Sequence, residues 1–476
     1  MLLKNLLPEI KSDFDNTEIT GLTCDSRAVK EGFAFVCING SAVDGHNFAK
    51  DALEKGAAVV ITERKLGLSR EVTVQDTHAA YAIMSREFFG NPASSLKLIG
   101  VTGTNGKTSI TYMLKAILEA SGYKTGVIGT IQNMIGDEVI PSANTTPDAY
   151  NLNLLFAKMR DAGCEYAIME VSSHALDQKR VFGIEFEVAA FTNLTQDHLD
   201  YHITMDNYLE AKKKLFTMCK TAVVNIDDSY ADRIIDGFSG KLVTYSVKSN
   251  ESTYSAKYIN LRSEGIEYQL VGFNLIQRMK IKSGGAFSVY NTMCAAACAI
   301  ELGIDLPSAA AALEAMNGVK GRAEIVPTER DFTVIIDYAH TPDGLKNILS
   351  AFKEIKKGRL VCLFGCGGDR DAAKRPLMGK IAANMSDFVI VTSDNPRSED
   401  PMSIISDITE GMKDTRTPCK VIENRIEAIN YAIENAESND IIILAGKGHE
   451  DYQILSTGKI HLDEREVVAE ALKAKR

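Results

Sequence analysis

The segment Thr102-Gly103-Thr104-Asn105-Gly106-Lys107-Thr108-Ser109 follows the apolar run Leu96 to Val101 and precedes an amphipathic stretch, Ile110 to Ala120. Strand, tight glycine turn and helix form the setting in which backbone N–H groups and a lysine hold a nucleotide's phosphates. Lys107 is placed to neutralise β- and γ-phosphate oxygens, and the Thr108 hydroxyl can ligate Mg2+. A strict Walker A pattern needs a glycine five residues before Gly106, and that position is Val101. The turn therefore matches a phosphate loop in its second half only. A plain strand–turn–helix corner is the alternative, and the intact Gly-Lys-Thr after a strand favours nucleotide binding over it.

Further residues could join that chemistry. Glu170 ends the apolar strand Tyr166–Met169, where a phosphate-loop fold places its second magnesium ligand. Without the loop it would be a solvated strand-end glutamate. His198, within the polar run Asn193 to His202, is open to two readings, metal ligand or cap of the following helix. Lys212, in a run of three lysines on a helical stretch, reads from its surroundings as a solvated face. In Asp394-Asn395-Pro396-Arg397, a guanidinium and two hydrogen-bonding side chains flank a rigid proline. Such a loop can read the head group of an amino acid, or be a common Asn-Pro turn. Arg370, in a glycine-rich turn, carries the same ambiguity, and together with Glu450 these residues favour a zwitterion site.

These residues need a scaffold of several domains. At 476 residues the chain is too long for one ordinary core. Short strands and helices alternate up to a turn signal at Asn91-Pro92, with strand at Gly32–Ile38, helix at Ala49–Lys55 and strand at Ala57–Ile61. Strands at Tyr166–Met169, Val188–Thr192 and Ala222–Asn225, separated by helical patterns, argue for a mostly parallel sheet with helices on both faces. From Phe332 onward, four strands run into loaded loops: Asp337 to His340, Gly365 to Arg370, Asp394 to Arg397 and Gly446 to Glu450. Ligands of open α/β sheets bind outside the carboxyl ends of strands, so the four loops predict one shared site.

Composition narrows the class. Hydrophobic content of 45% with 24% charged residues is that of a soluble globular protein, and a net charge of −10 argues against a general nucleic-acid binder. Met1 to Phe14 lacks the apolar core of a signal peptide, and no window reaches the length of a membrane span. Nine cysteines at scattered spacings read as reduced thiols, and a cytoplasmic location is expected. Cys294 with Cys298, and Cys362 with Cys366, lack a partner cluster and read as buried, inert thiols.

Gly103-Thr104-Asn105-Gly106-Lys107-Thr108, Glu170-Val171-Ser172-Ser173-His174, Asn193 through His202 and Asp337-Tyr338-Ala339-His340 together resemble the Mur ligases. A shortened phosphate loop is that family's form, which accounts for Val101. The MurE branch, which adds the third peptide residue in peptidoglycan assembly, fits best. The resemblance implies three α/β domains. Residues 1–94 would bind UDP, 95–328 would be a central ATPase with a doubly wound sheet, and 329–476 a Rossmann-like domain for the incoming amino acid. It implies ATP and Mg2+ as cofactors and a monomer with small-molecule substrates, without nucleic acid or membrane insertion.

The residues follow from the same resemblance. Gly103, Thr104, Asn105, Gly106, Lys107, Thr108 and Ser109 would hold the nucleotide, with Asn291, Arg322, Asp337 and His340. Thr108, Glu170, His198 and Lys212 would surround magnesium. Lys212 matches the lysine that the family carbamylates, which would overturn its surface reading. Ser26, within Asp25-Ser26-Arg27, and the Gly45-His46 region resemble the UDP-contacting segment. Thr145, Thr146, Ser172, Gln178 and Arg180 match the hold on the muramoyl-dipeptide. Ala286 and Ser288 stand where relatives often carry arginine and asparagine, so the adenine side departs from the pattern.

Arg370, Asp394, Asn395, Pro396, Arg397, Gly446 and Glu450 match contacts to the amino acid, and the Asp394–Arg397 signature is that of members adding meso-diaminopimelate. A guanidinium left without its distal carboxylate would penalise lysine. The reaction implied is amide formation through an acyl phosphate, with UDP-N-acetylmuramoyl-L-alanyl-D-glutamate as acceptor. The alternatives are a lysine- or lanthionine-adding variant and a folylpolyglutamate synthetase-like ligase, which the first 94 residues and Asp394–Arg397 fit poorly. A phosphate-loop switch that only binds partners has no need of Glu170, His198 and four loaded loops.

Overall fold

The computed structural model of the chain describes residues 1–40, 43–262, 265–272 and 275–475. They fall into two compact units, Met1–Thr244 with Ala297–Ile304, and Tyr245–Ala296 with Asp305–Arg476. Among the described residues no helix is long and apolar enough to cross a membrane.

The first unit carries two sheets. Gly21–Thr23, Phe33–Val36, Val59–Thr62 and Glu71–Thr73 lie side by side, all parallel. The larger sheet holds five parallel strands in the order Cys219–Asn225, Phe186–Phe191, Lys97–Thr102, Tyr166–Glu170, Thr125–Ile128. An antiparallel hairpin, Gln132–Ile135 with Glu138–Pro141, extends it. The chain leaves Lys97–Thr102, adds Thr125–Ile128 two places away, then returns to fill the gap and continues on the other side. That reversal opens a crevice at the carboxyl end of Lys97–Thr102, where the glycine turn sits. Register fixes its neighbours: Val101 pairs with Glu170, and Thr102 with Phe191.

In the second unit, Tyr254–Arg262, Gly265–Gly272 and Leu275–Ile281 form an antiparallel ladder that the α/β reading did not anticipate. The main sheet runs Glu324–Val326, Thr333–Asp337, Ile441–Ala445, Leu360–Phe364, Phe388–Val391, Cys419–Val421, parallel except for its first strand. Its central strands are apolar over Val334–Ile336, Leu360–Phe364, Phe388–Val391 and Ile441–Ala445, and alternate between two cores. Ile335, Cys362, Phe364, Val391, Ile443 and Ala445 pack with helices Pro342–Lys353, Lys374–Met385 and Pro401–Glu410. Val334, Ile336, Leu363, Ile390, Ile442 and Leu444 pack with Arg425–Glu434 and Glu464–Ala474. Burial on both faces is why these strands read as continuous hydrophobic runs. All nine cysteines are free thiols; Cys294, Cys298, Cys362 and Cys366 are buried.

One polar tie crosses the apolar interior of this unit. Arg425 and Glu464 are both fully buried and bonded at 2.7 Å, and Arg425 also donates to the Ala445 carbonyl at 2.9 Å. The guanidinium thus anchors the end of the Ile441–Ala445 strand, just below Gly446. Arg425→Met leaves the Glu464 carboxylate buried without its cation, and is expected to cost about 3–5 kcal/mol in urea unfolding. Adding Glu464→Leu should return much of that loss; an unshifted midpoint for the single variant would contradict this account.

Candidate functional site

The glycine turn is built by its neighbours on the sheet. Strand Lys97–Thr102 ends at Thr102 and helix Lys107–Ala120 begins at Lys107. Val101 is fully buried inside the strand, so the first glycine of a longer phosphate loop has no place here. Gly103 has φ +147°, and a Cβ there would overlap the Thr192 hydroxyl, so only glycine fits. Thr192 donates to the Asn105 carbonyl at 2.6 Å, and Asn193 accepts from the Asn105 N–H at 2.9 Å. The strand beside the loop therefore holds it open. Lys107 Nζ donates to the Gly103 and Thr104 carbonyls at 2.8 and 2.9 Å.

Lys212 is buried, not solvated. Its side chain is 1% exposed, its Nζ donates to the Gly103 carbonyl at 2.9 Å, and it lies 4.5 Å from the Tyr208 ring centroid. Helix Met205–Lys213 turns this lysine inward while Lys213 and Lys214 pair with Asp236 and Asp177 at the surface. The run of three is an amphipathic helix end rather than a uniform charged face. Burial, with Lys107 nearby, holds the Lys212 amine well below the usual lysine range.

Glu170 is nearly fully buried and collects hydroxyl donors. Oε1 accepts from Thr108 Oγ1 at 3.0 Å and from the Thr130 N–H at 2.8 Å; Oε2 accepts from Thr130 Oγ1 at 3.0 Å. Thr130 was not singled out from the sequence; the signal was there, since Gly129-Thr130 ends a parallel strand as Glu170 does. The 3.0 Å separation of the Thr108 and Glu170 oxygens suits Mg2+. Two cis ligands of an octahedral ion at ~2.0–2.1 Å lie about 2.9 Å apart. The donor set, one hydroxyl and one carboxylate, is the hard-oxygen kind magnesium takes.

His198 occupies the N-cap position of helix Leu199–His202 but makes no capping hydrogen bond, so the capping alternative fails. Its ring lies 4.9 Å from that of His174 and 6.2 Å from Tyr208, the ring that Lys212 also faces. Burial lowers its pKa, with Asp197 opposing, which favours the neutral imidazole a metal ligand must be. Among the described residues no group of three or more His, Cys, Asp or Glu side chains is gathered around a metal position.

Thr145, Thr146, Ser172, Gln178 and Arg180 lie together beside Glu170. Thr146 Oγ1 donates to the Glu170 carbonyl at 2.7 Å and accepts the Ser172 N–H at 3.1 Å; Thr145 meets Thr130 at 3.0 Å. Arg180 donates to the Thr146 carbonyl and to Gln178 Oε1, both at 2.7 Å. Ser172 caps the short helix Ser173–Asp177, so its hydroxyl already accepts the Ala175 N–H. In the N-terminal sheet region Ser26 is half-buried, and its carbonyl accepts from Lys55 at 2.8 Å. The His46 ring is used internally: it accepts the Glu63 N–H at 3.0 Å and donates to Asp44 at 2.6 Å. That segment can meet a ligand only through its neighbours. A cavity of about 670 Å3 opens elsewhere, between residues 176–185 and 214–220 at the amino ends of two strands. Its lysines already pair with Asp76, Asp177 and Glu187, and none of the chemistry above lines it.

In the second unit the four loaded loops meet, as their strand ends predict. The Gly446 N–H donates to the Asp337 carbonyl at 3.0 Å, and the Tyr338 ring packs tilted against that of His449, centroids 4.8 Å apart. Arg397 Nη1 donates to the Gly368 carbonyl at 2.7 Å, and the Gly368 N–H donates to the Asn395 carbonyl at 2.9 Å. Asn395 Nδ2 donates to Glu450 Oε2 at 2.9 Å. The loops touch so closely that a Cβ at Gly368 would overlap the Pro396 carbonyl, and one at Gly446 the Asp394 carboxylate. Arg397 engages backbone carbonyls, and no carboxylate among the described residues comes within 4.0 Å of it or of exposed Arg370. Arg322 sits 4.9 Å over the Tyr338 ring, the Asp337 carboxylate accepts the Ala323 N–H at 2.7 Å, and His340 donates to the Tyr338 carbonyl at 2.8 Å. Asn291 is buried on the helix Phe287–Glu301.

Known proteins share this arrangement along the whole chain. Residues 18–88 match the pattern described as Mur ligase family, catalytic domain; 101–299 the Mur ligase middle domain; and 321–448 the Mur ligase, glutamate ligase domain. The chain is 49% identical over 475 residues to the UDP-N-acetylmuramoyl-L-alanyl-D-glutamate--2,6-diaminopimelate ligase of Caldanaerobacter subterraneus subsp. tengcongensis, covering 99% of this chain and 98% of that one. It is 47% identical to the Clostridium botulinum protein of the same name, covering 99% and 100%. A solved structure of a ligase with that name superposes with a TM-score of 0.75 at 33% identity, covering 100% of this chain and 99% of the other.

Lys212 offers a test of the buried amine. Above its ordinary value of 10.5, the unmodified lysine is neutral both folded and unfolded. As pH falls below that value the unfolded chain takes up the proton first, so folding stability is lost until the depressed folded pKa is passed, and no further below it. The unfolding free energy of the wild type minus that of Lys212→Met is therefore expected to decline as pH is lowered from 10.5. A difference independent of pH, measured by urea titration, would contradict the buried-amine account.

Proposed function

This chain belongs to the Mur ligase family, and from that membership we propose how its residues divide the work of an ATP-dependent amide ligase. The reaction adds 2,6-diaminopimelate to UDP-N-acetylmuramoyl-L-alanyl-D-glutamate in peptidoglycan synthesis. The observation that carries it is the match to ligases of that name over 99% of the chain, nucleotide turn and amino-acid loops included. We propose the meso isomer as substrate and the cytoplasm as the location.

The Gly103–Ser109 turn binds the triphosphate, with backbone N–H groups and Lys107 on its oxygens. We propose Asn291, Arg322, Asp337 and His340 as the nucleotide-contacting residues of the second unit. Thr145, Thr146, Ser172, Gln178 and Arg180 hold the muramoyl-dipeptide, and Ser26 its UDP. The γ-carboxylate of the acceptor's D-glutamyl residue attacks the γ-phosphate, giving an acyl phosphate and ADP. The amine of diaminopimelate then attacks that carbonyl and phosphate leaves. Placing the attacking oxygen in line is worth more than any single group, because the chain's residues form no covalent bond to substrate. Thr108, Glu170, His198 and a carbamylated Lys212 would hold Mg2+, which when bound supplies positive charge to the phosphate oxygens.

Lys212 suits carbamylation because only a neutral amine attacks CO2, and its burial favours that form. Carbon-13-labelled bicarbonate is expected to give one carbamate resonance that Lys212→Met lacks. Absence of the resonance from active wild-type enzyme would refute the modification.

Arg397 supports the amino-acid assignment, since a cation with no carboxylate of the described residues within 4.0 Å can take one from a ligand. Phosphate release is expected to need the UDP-dipeptide and diaminopimelate together, with lysine a poor replacement. Arg397→Ala should lower kcat/KM for diaminopimelate by about tenfold or more, the worth of a charged hydrogen bond, and leave that for lysine near its basal level. Release with lysine but not diaminopimelate would overturn the substrate while leaving the ligase standing.

A further inference from the structure

Lys447 is completely buried, yet neither the nucleotide nor the acceptor chemistry uses it. Its Nζ donates to Glu450 Oε2 at 2.7 Å and to Asn395 Oδ1 at 3.0 Å, and lies 4.0 Å from Asp394 Oδ1. An ammonium is kept inside a protein only where it is paired and hydrogen-bonded. Here all three partners belong to the loops assigned above to the incoming amino acid.

The bonding pattern is directional. Asn395 Oδ1 accepts from both Lys447 and the Ile454 N–H, the latter at 2.9 Å, which leaves Nδ2 to donate to Glu450 Oε2 at 2.9 Å. Glu450 Oε2 therefore has two donors. Oε1 has no protein donor among the described residues, although the side chain is only 13% exposed. A carboxylate with one oxygen fixed from behind and the other bare is set to accept a hydrogen bond from a ligand cation.

We propose that Lys447 is a positioning residue that turns Glu450 so that Oε1 meets an ammonium group of the incoming amino acid. The proposal rests on the assignment of these loops to diaminopimelate. Lys447 touches no reacting atom; it acts through Glu450 and Asn395. Its charge also offsets the two carboxylates of Asp394 and Glu450, so that a cationic group is drawn in without being trapped between uncompensated acids.

The test is a double-mutant cycle on the full-length enzyme with steady-state kinetics in all three substrates. Lys447→Met is expected to raise the KM for diaminopimelate by about tenfold, with the KM values for ATP and the UDP-dipeptide within about twofold of wild type. Lys447→Gln keeps a donor without the charge and should fall between. Combined with Glu450→Gln, Lys447→Met should add little, because the group it positions is already altered. An equal loss for all three substrates, full additivity, or failure of both Lys447 variants to fold would make Lys447 part of the scaffold and overturn the proposal. If Glu450→Gln itself leaves the KM for diaminopimelate unchanged, the assignment of the loops fails instead, and that outcome is read from the single variant alone.

Discussion

The carbonyl oxygen of Gly103 accepts hydrogen bonds from two lysine amino groups, those of Lys107 and Lys212. Two cations on one acceptor repel each other, and the interior around Lys212 offers little solvent to screen them. The arrangement holds because burial makes one amine, that of Lys212, give up its proton readily. Much of the first unit serves this point. Phe191 pairs with Thr102 so that Thr192 and Asn193 brace the turn, and the turn brings its carbonyl inward because residue 103 carries no side chain.

Glu170 shows the complementary device. Every donor to its carboxylate among the described residues is a hydroxyl or a backbone N–H, none a cation. Neutral donors orient a carboxylate without cancelling its charge. The second unit does the opposite at Glu450, where a buried lysine backs the carboxylate. One acid is oriented by neutral donors alone, the other is backed by a cation.

The fold was legible because its strands are of the doubly buried kind: Val334–Ile336 and Ile441–Leu444 announce themselves as uninterrupted apolar runs that end in polar loops. That the loops converge follows from parallel strands ending at one edge. The antiparallel ladder was missed because its first strand, Tyr254–Arg262, sets the aromatic Tyr258 on the exposed positions together with Asn260 and Arg262, which blurs the apolar–polar alternation. Lys212 was misread from its surroundings for a similar reason. Three adjacent lysines give no hint of which one the helix turns inward; that depends on Tyr208 one turn earlier and on the loop more than a hundred residues away. Thr130 was overlooked because a threonine after a glycine is unremarkable until Glu170 is placed beside it.

The interlocking of the amino-acid loops bears on how this enzyme can change. Gly368 faces the Pro396 carbonyl and Gly446 faces the Asp394 carboxylate, each with no room for a methyl group. A substitution that reshapes one loop therefore displaces the backbone of another before it alters the ligand. On the proposed assignment of these loops, preference for the amino acid would be inherited as a block, and single changes toward a new substrate would be epistatic. Descendants that accept a different amino acid should differ in several loops at once, and chimaeras that exchange one loop between them should be poorer enzymes than either parent.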